Sequence, residues 1–332
     1  MNAKILFIIF IYSVAFFSCN NKMEKPETKE ITFTLKETSV PEFNEELAFD
    51  YINKQISFGP RNPNSTGHQK TREFLFNELK KFADTTFTQN FSYPGYDGER
   101  LNLTNIIASF NPESEYRILL CAHWDTRPRA EKDEIPSNRE KPIIGANDGA
   151  SGVAVLLAIA KTLSEKKVNY GVDIVLFDGE DYGKEGDLMN YSLGSKYFIQ
   201  NKPDFIKPQF AILLDMVGDK EARFKKEPNS IQFAPDIVEL VWNLAEKLNL
   251  KTFSREISSP IYDDHVPIGE MGIKIINIID AELIGADSPE PRRNYWHTQK
   301  DTIENIGKET LKEVGQLLNH LIYSLTFTER IK

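Results

Sequence analysis

The sequence has very little cysteine: Cys19 and Cys121 are the only two in 332 residues. Cys121 lies in an apolar run, residues 118–122, where a cysteine usually acts as a small buried side chain. A disulfide between the two would tie a polar tail to a buried strand. The scarcity of cysteine therefore excludes a small secreted fold held together by disulfide bonds.

The sequence also lacks an excess of positive charge. Its 40 lysines and arginines are outnumbered by 49 aspartates and glutamates, which gives a formal net charge of −9. Such a chain would be repelled by phosphate groups, so we expect no nucleic-acid partner. A modest negative charge is compatible with a substrate that carries a free, positively charged amino terminus.

No hydrophobic run is long enough to cross a membrane comfortably, but a shorter run lies near the start of the chain. Lys4 precedes it and Ser18-Cys19 follows it, which is typical of a signal peptide at residues 1–18. A small residue followed directly by cysteine resembles a bacterial lipoprotein cleavage site, so Cys19 is predicted to carry a lipid. The alternative is an ordinary secretory signal with an incidental cysteine.

Residues 19–44 are predicted to tether this lipidated cysteine to a folded domain. They are rich in Lys, Glu and Thr and show no helical periodicity, which favours a flexible segment. The leader and the tether together predict a protein of the bacterial cell envelope. It would be lipid-anchored to a membrane and would face the periplasm or the cell surface.

From residue 45 onward, segments with a helical spacing of apolar residues alternate with strand-like runs. Predicted helices cover residues 46–56, 67–82, a segment introduced by 147–149 that ends at 163, 192–200, 235–248 and 308–326. Predicted strands cover residues 84–93, 101–110, 116–122, 172–177, 210–214 and 273–279. This alternation predicts one α/β domain over residues 45–332. Its three α/β/α layers would surround a central mixed, mostly parallel sheet.

The polar positions directly after the predicted strands are unusually rich in acids and histidines. Ligands of such sheets gather beyond the carboxyl ends of the strands, so these positions predict the site. Two further histidines, His68 and His320, lie in helical patterns and are predicted to face solvent or to pack. The positions after the strands are His123, Asp125, Asp178, Glu180, Asp181, Asp215, Asp280 and Glu282. Further candidates lie before helices, at Asp148 and His297, and in a loop, at Asp263, Asp264 and His265.

Carboxylates that gather in one cleft repel one another unless a cation or a proton neutralises them. Imidazole nitrogens together with carboxylate oxygens suit Zn²⁺, and a catalytic zinc keeps three protein ligands and one open position. The residue types alone do not say which three side chains would bind. An aspartate such as Asp148, placed just before a helix, is also a common helix cap.

The order of the motifs resembles the co-catalytic zinc aminopeptidases and their relatives, the animal-type glutaminyl cyclases, over residues 46–330. The motifs are FGPRNPNSTGH at 58–68, His123-x-Asp125, Asn147-Asp148-Gly149, Glu180-Asp181, Asp215, Asp263-Asp264-His265 and His297-Thr298-x-x-Asp301-Thr302. Three features favour the cyclases. Trp296 directly precedes His297, residues 263–265 replace the usual Ser-Asp-His of the aminopeptidases, and residues 123–128 resemble bacterial lipoprotein-type cyclases.

The resemblance implies one zinc ion per chain, held by Asp148, Asp181 and His297. It places Glu180 at the position of the general acid and base. The acidic pair of this group usually reads Glu-Glu, whereas the second member here is Asp181. Aspartate is a competent ligand with a shorter reach.

The resemblance further implies an enzyme that cyclises the N-terminal glutamine of peptides and proteins and releases ammonia. Asp215 and Asp263 would hydrogen-bond the departing amide nitrogen, and Trp296 would stack on the glutamine side chain. His123, Asp125 and His265 are expected to orient their neighbours without touching metal or substrate. We expect the enzyme to be a monomer.

Two alternatives remain at this stage. In a two-zinc aminopeptidase, His123 and Asp215 would bind a second metal bridged through Asp148, while Glu180 would activate a water. A non-enzymatic lipoprotein could merely bind a metal or a peptide. The sequence assigns no role to the loops at 128–142 and 182–190.

Overall fold

The computed structural model describes residues 29–184 and 186–331. Over these residues the chain forms strands and α-helices in an alternating order. They are β1 (Lys29–Leu35), α1 (Glu45–Ile56), α2 (Thr66–Phe82), β2 (Thr85–Pro94), β3 (Arg100–Phe110), β4 (Arg117–His123), α3 (Ala150–Glu165), β5 (Gly171–Phe177), α4 (Leu193–Asn201), β6 (Phe210–Asp215), β7 (Phe224–Lys226), α5 (Pro228–Phe233), α6 (Pro235–Lys247), β8 (Phe253–Ile257), α7 (His265–Glu270), β9 (Ile275–Ile279), α8 (Lys308–Ser324) and β10 (Leu325–Ile331).

The central sheet has six strands in the order β2-β3-β5-β4-β6-β9. Strands β5, β4, β6 and β9 run parallel to one another, whereas β2 and β3 add an antiparallel edge. Two pairs of strands, β1 with β10 and β7 with β8, form separate small sheets. The predicted mixed, mostly parallel sheet is confirmed.

Helices cover both faces of this sheet, so the predicted three-layer α/β/α architecture is confirmed. Along β4, Leu119 and Cys121 pack with side chains of α4 and α7. The alternate residues Ile118 and Leu120 belong to a larger cluster that includes α1, α2, α3, α6 and α8. Strands covered on both faces read as continuous apolar runs, which explains why β4 was recognisable in the sequence.

The parallel strands all end at the edge of the sheet where the polar residues were expected. His123 and Asp215 are the last residues of β4 and β6, and Asp178 directly follows β5. Helix α3 begins at Ala150, immediately after Asp148-Gly149. Parallel pairing therefore brings these separated positions to one edge of the fold.

The predicted tether over residues 19–44 is wrong for its second part. Phe33 and Leu35 pack against the main core, the Phe33 ring lies 5.4 Å from that of Phe210, and Phe43 is buried. The structured chain thus begins before residue 45. The last predicted helix also differs, because α8 ends at Ser324 and the chain continues as β10.

Residues 33–327 form one compact unit, and residues 29–32 belong with 328–331 to a second, small unit. Cys121 is free and buried, as predicted. Among the helices of the described ranges, none has the length and apolarity needed to cross a bilayer. The predicted signal peptide and Cys19 lie outside the described residues.

Candidate active site

The seven side chains predicted to catalyse, bind substrate or bind metal all line one pocket at the carboxyl edge of the sheet. They are Asp148, Glu180, Asp181, Asp215, Asp263, Trp296 and His297. Tyr191, Met216, Tyr262 and three isoleucines complete the wall. The structure therefore gathers residues that are up to 149 positions apart in the sequence, from Asp148 to His297.

Asp148, Asp181 and His297 face one another at metal-binding distances. The Nε2 atom of His297 lies 3.2 Å from Asp181 Oδ1 and 3.7 Å from Asp148 Oδ2. Ligand atoms that stand about 2.0–2.2 Å from a tetrahedral zinc are roughly 3.3–3.6 Å apart. All three residues are buried, and Asp181 Oδ2 has no hydrogen-bond partner within the described chain. This orphaned oxygen and the donor set fit a zinc ion.

Asp148 does not cap the helix that follows it. Gly149 is the N-cap of α3, and the backbone N–H groups of Asn147 and Asp148 donate to Asp301. Burial, with the nearby Asp148 charge, raises the pKa of Asp301 to about 7. The Asp148 carboxylate is thus free to face the two histidines of the site.

A second cluster lies directly beside the first and shares Asp148. The Nε2 atom of His123 lies 3.1 Å from Asp148 Oδ1 and 3.2 Å from Asp215 Oδ1. Although burial opposes it, hydrogen bonds with Asp125, Asp148 and Asp215 raise the pKa of His123 well above its usual range. A ring proton can therefore bridge these carboxylates, as a metal could. His123 was expected to act indirectly, yet its ring belongs to this second cluster.

Asp125 fixes the backbone of the Glu180-Asp181 pair. Its carboxylate accepts hydrogen bonds from the backbone N–H groups of Glu180 at 3.0 Å and Asp181 at 3.2 Å. Its distance to His123 Nδ1 is longer, at 3.6 Å. Asp125 was predicted to support His123, but its shorter contacts orient the acidic pair instead.

Glu180 is buried beside Asp181 and lies outside both clusters. Burial, strengthened by the Asp263 charge, raises the pKa of Glu180 well above its usual range. Burial and Asp263 also raise the pKa of Asp215 to about 7. The charge of Asp263 thus acts on both of these carboxyl groups.

Hydrogen bonds with buried side chains fix the loop that carries Asp263. Asn277 of β9 donates to Asp263 Oδ2 at 2.6 Å, and His265 lies 3.0 Å from the buried Glu227. Glu227 Oε1 also accepts the backbone N–H of Ile261, another pocket residue. His265 was expected to orient its neighbours, and it begins α7 and belongs to neither metal-binding cluster of the described chain.

Trp296 and His297 stack on each other at the mouth of the pocket. Their ring centroids are 3.5 Å apart with an interplanar angle of 19°. His297 has a φ of 53°, a left-handed conformation that non-glycine residues rarely adopt and that is common at functional sites. The Trp296 side chain is partly exposed.

Two side chains that the sequence did not single out, Glu131 and Arg127, support His297 and Asp181. Glu131 Oε1 lies 3.1 Å from His297 Nδ1 and also accepts a hydrogen bond from Arg127, whose Nη1 donates to Asp181. Although burial opposes it, His297 and Arg127 hold the pKa of Glu131 below its usual range. Glu131 lies in the loop at 128–142, which is thereby tied to the site.

His68 was predicted to face solvent or to pack, and it packs. It is buried, its Nε2 lies 2.9 Å from both oxygens of Asp178, and its ring stacks on Trp124 with centroids 4.4 Å apart. This contact fixes the turn after β5, from which Glu180 and Asp181 project.

Residues 105–322 match peptidase family M28. The chain is 40% identical to the glutaminyl cyclase of Bacteroides thetaiotaomicron bound to N-acetylhistamine, over 86% of this chain and 99% of that one, with a TM-score of 0.81. It is also 40% identical to a Zn-dependent exopeptidase from Parabacteroides distasonis, with the same coverages and a TM-score of 0.80. A glutaminyl-peptide cyclotransferase from Boiga irregularis is 23% identical over 78% of this chain and 75% of its own length.

Proposed function

Since the chain belongs to peptidase family M28, we propose that it is a zinc-dependent glutaminyl-peptide cyclotransferase. The observation that carries this proposal is the pocket itself. A carboxylate outside both metal-binding clusters, Glu180, lies beside the candidate ligand Asp181, with Trp296 at the mouth. The same chain covers 99% of a glutaminyl cyclase at 40% identity.

The reaction is an intramolecular acyl transfer. The α-amino nitrogen of an N-terminal glutamine attacks its own γ-amide carbon, a new C–N bond closes a five-membered lactam, and the old C–N bond breaks to release ammonia. One proton moves from the attacking nitrogen to the leaving nitrogen, so no water or other co-reactant is consumed. Because the attacking group is already tethered, the enzyme mainly orients it and moves that proton.

Asp148, Asp181 and His297 would hold the zinc ion, which when bound acts as a Lewis acid toward the γ-carbonyl oxygen. Glu180 takes the proton from the amine and delivers it to the departing nitrogen. Asp215 and Asp263 accept hydrogen bonds from the amide nitrogen, and Trp296 covers the substrate side chain and excludes water.

The activity can be tested with a peptide that begins with glutamine. We expect the product to have lost the mass of one ammonia, with no free amino acid released. A matched peptide with an acetylated glutamine amine should not react, because its nitrogen cannot attack. Unchanged mass of the free-amine peptide after incubation with the zinc-loaded enzyme would contradict the proposed function.

The second cluster gives a specific reason to test the aminopeptidase alternative. His123, Asp148 and Asp215 could hold a second metal, as a two-zinc peptidase requires. However, His123 Nε2 already bonds Asp215, so a ring proton suffices there, whereas Asp181 Oδ2 in the first cluster has no partner in the described chain. Release of leucine from a leucine-initiated peptide would support the alternative.

We further propose that the enzyme is anchored in the bacterial cell envelope through a lipid on Cys19. The support is the apolar run that ends in Ser18-Cys19 at the start of the chain. We expect Cys19→Ala to move the protein from the membrane fraction to the soluble fraction and to remove label from a radioactive fatty acid. A variant that stays in the membrane fraction and retains the label would contradict this proposal.

A further inference from the structure

A groove adjoins the active-site pocket and has no role in the chemistry described so far. One wall runs from Ile257, the last residue of β8, to Ile261, and the other follows β9, from Ala281 to Pro289. Arg223, directly before β7, and Lys225, within β7, also line it. Two side chains, Ile261 and Ile284, line both the groove and the pocket, so the two spaces adjoin there.

Resting on the proposed function, we infer that this groove binds the residues that follow the N-terminal glutamine of a peptide substrate. The pocket takes the glutamine side chain and the α-amino group, both of which react. The rest of the substrate leaves from the α-carbon through its carbonyl group and must pass out of the pocket. The groove continues from the pocket wall, so it can receive this extended chain.

The charges along the groove are already paired within the protein. Arg223 donates to Glu282 at 3.2 Å and to Glu290 at 2.7 Å. Lys225 lies 2.9 Å from Glu282 and 2.5 Å from Glu256. These two basic side chains face three glutamates, and Asp287 also lines the groove, so the groove has no excess of positive charge. It therefore offers no free cation to an acidic substrate residue.

Among these polar side chains the groove also presents apolar ones to solvent. The side chain of Ile257 is 64% exposed, although isoleucine is more often buried. Ile261 and Ile284 are half-buried at the junction with the pocket, and Pro260 and Pro289 stand on the two walls. An exposed apolar wall that continues a polar pocket fits an apolar substrate side chain downstream of the glutamine.

The first test compares substrate length in the wild-type enzyme and in a variant with a blocked groove. We expect kcat/KM for a glutamine-initiated hexapeptide to exceed that for glutamine amide by about tenfold, the gain of a few well-packed side-chain contacts. Ser259→Trp, at an exposed position in the wall, should remove this gain and leave glutamine amide unaffected. Met189→Trp is the matched control, since Met189 is exposed on the loop at 182–190, outside the groove.

A second variant keeps the inference testable if the tryptophan disturbs the loop. With alanine hexapeptides that carry a single leucine, leucine at one position after the glutamine should raise kcat/KM, and Ile257→Ala should abolish that increase. Equal kcat/KM for glutamine amide and all hexapeptides would overturn the groove assignment without contradicting the proposed cyclase activity. A loss caused by Met189→Trp instead of Ser259→Trp would also overturn it. Failure to cyclise glutamine amide itself would reject the proposed function.

Discussion

Replacing Glu180 with glutamine lowers kcat for a glutamine-initiated peptide by at least about 10²-fold, because general acid–base catalysis contributes roughly 10²–10⁴-fold. Glutamine keeps the size of the side chain but cannot take the proton from the attacking amine. Glu180 lies outside the three candidate ligands, so zinc should stay bound. Stopped assays of pyroglutamyl product, with zinc measured on the same samples, check both parts of this expectation.

A matched control separates this effect from a general loss of charge near the site. Glu134 is exposed on the loop at 128–142, where it contacts Lys300 at 2.8 Å, so Glu134→Gln should leave kcat unchanged. KM should change little in Glu180→Gln, since the carboxamide still fills the same space. Normal cyclisation by the Glu180 variant would show that another group moves the proton.

The central part of the fold could be predicted because its elements carry local patterns. Strand β4 is buried along its whole length, and α3 is buried on nearly all sides, so both read as apolar runs. Strands β1 and β10 could not be predicted in this way, because their pairing joins residues nearly 300 positions apart, such as Thr32 and Thr328. Helix α7 contains Pro267 and has only six residues, so it is too short to show a helical period in the sequence.

Site residues likewise divide into those marked by a local sequence pattern and those brought in by long-range contacts. Asp148, Asp215 and Glu180 follow or precede recognisable elements, and the carboxyl edge of a parallel sheet is where ligands are expected. Glu131 gave no such signal, because it lies in a charged loop without periodicity. Its partner His297 is 166 positions away in the chain. Residues that support a metal-binding side chain, as Glu131 supports His297, are recognised only from tertiary contacts, which a single sequence does not show.

Removing zinc with a chelator should lower the cyclisation rate by at least about 10³-fold, since a Lewis acid contributes several kcal/mol to a transition state that gains charge. Asp148, Asp181 and His297 would then form a buried cluster without its cation, so the melting temperature should also fall. Adding zinc back should restore both. Full activity in a sample shown to contain no metal would contradict the zinc assignment.

Replacing the loop residue Glu131 should weaken zinc binding without abolishing it. Glu131→Gln removes the carboxylate next to His297 Nδ1, and partners of this kind typically change metal affinity by about 10–100-fold. We expect a matching increase in the zinc dissociation constant, with most of kcat regained at saturating zinc, whereas Glu134→Gln should bind zinc normally. The number of bound zinc ions separates the two functions. Saturation at one zinc per chain, unchanged in His123→Ala, would agree with a single site. Two tightly bound ions, one of them lost in His123→Ala, would instead mean that the second cluster binds metal and that the aminopeptidase chemistry is available to this chain.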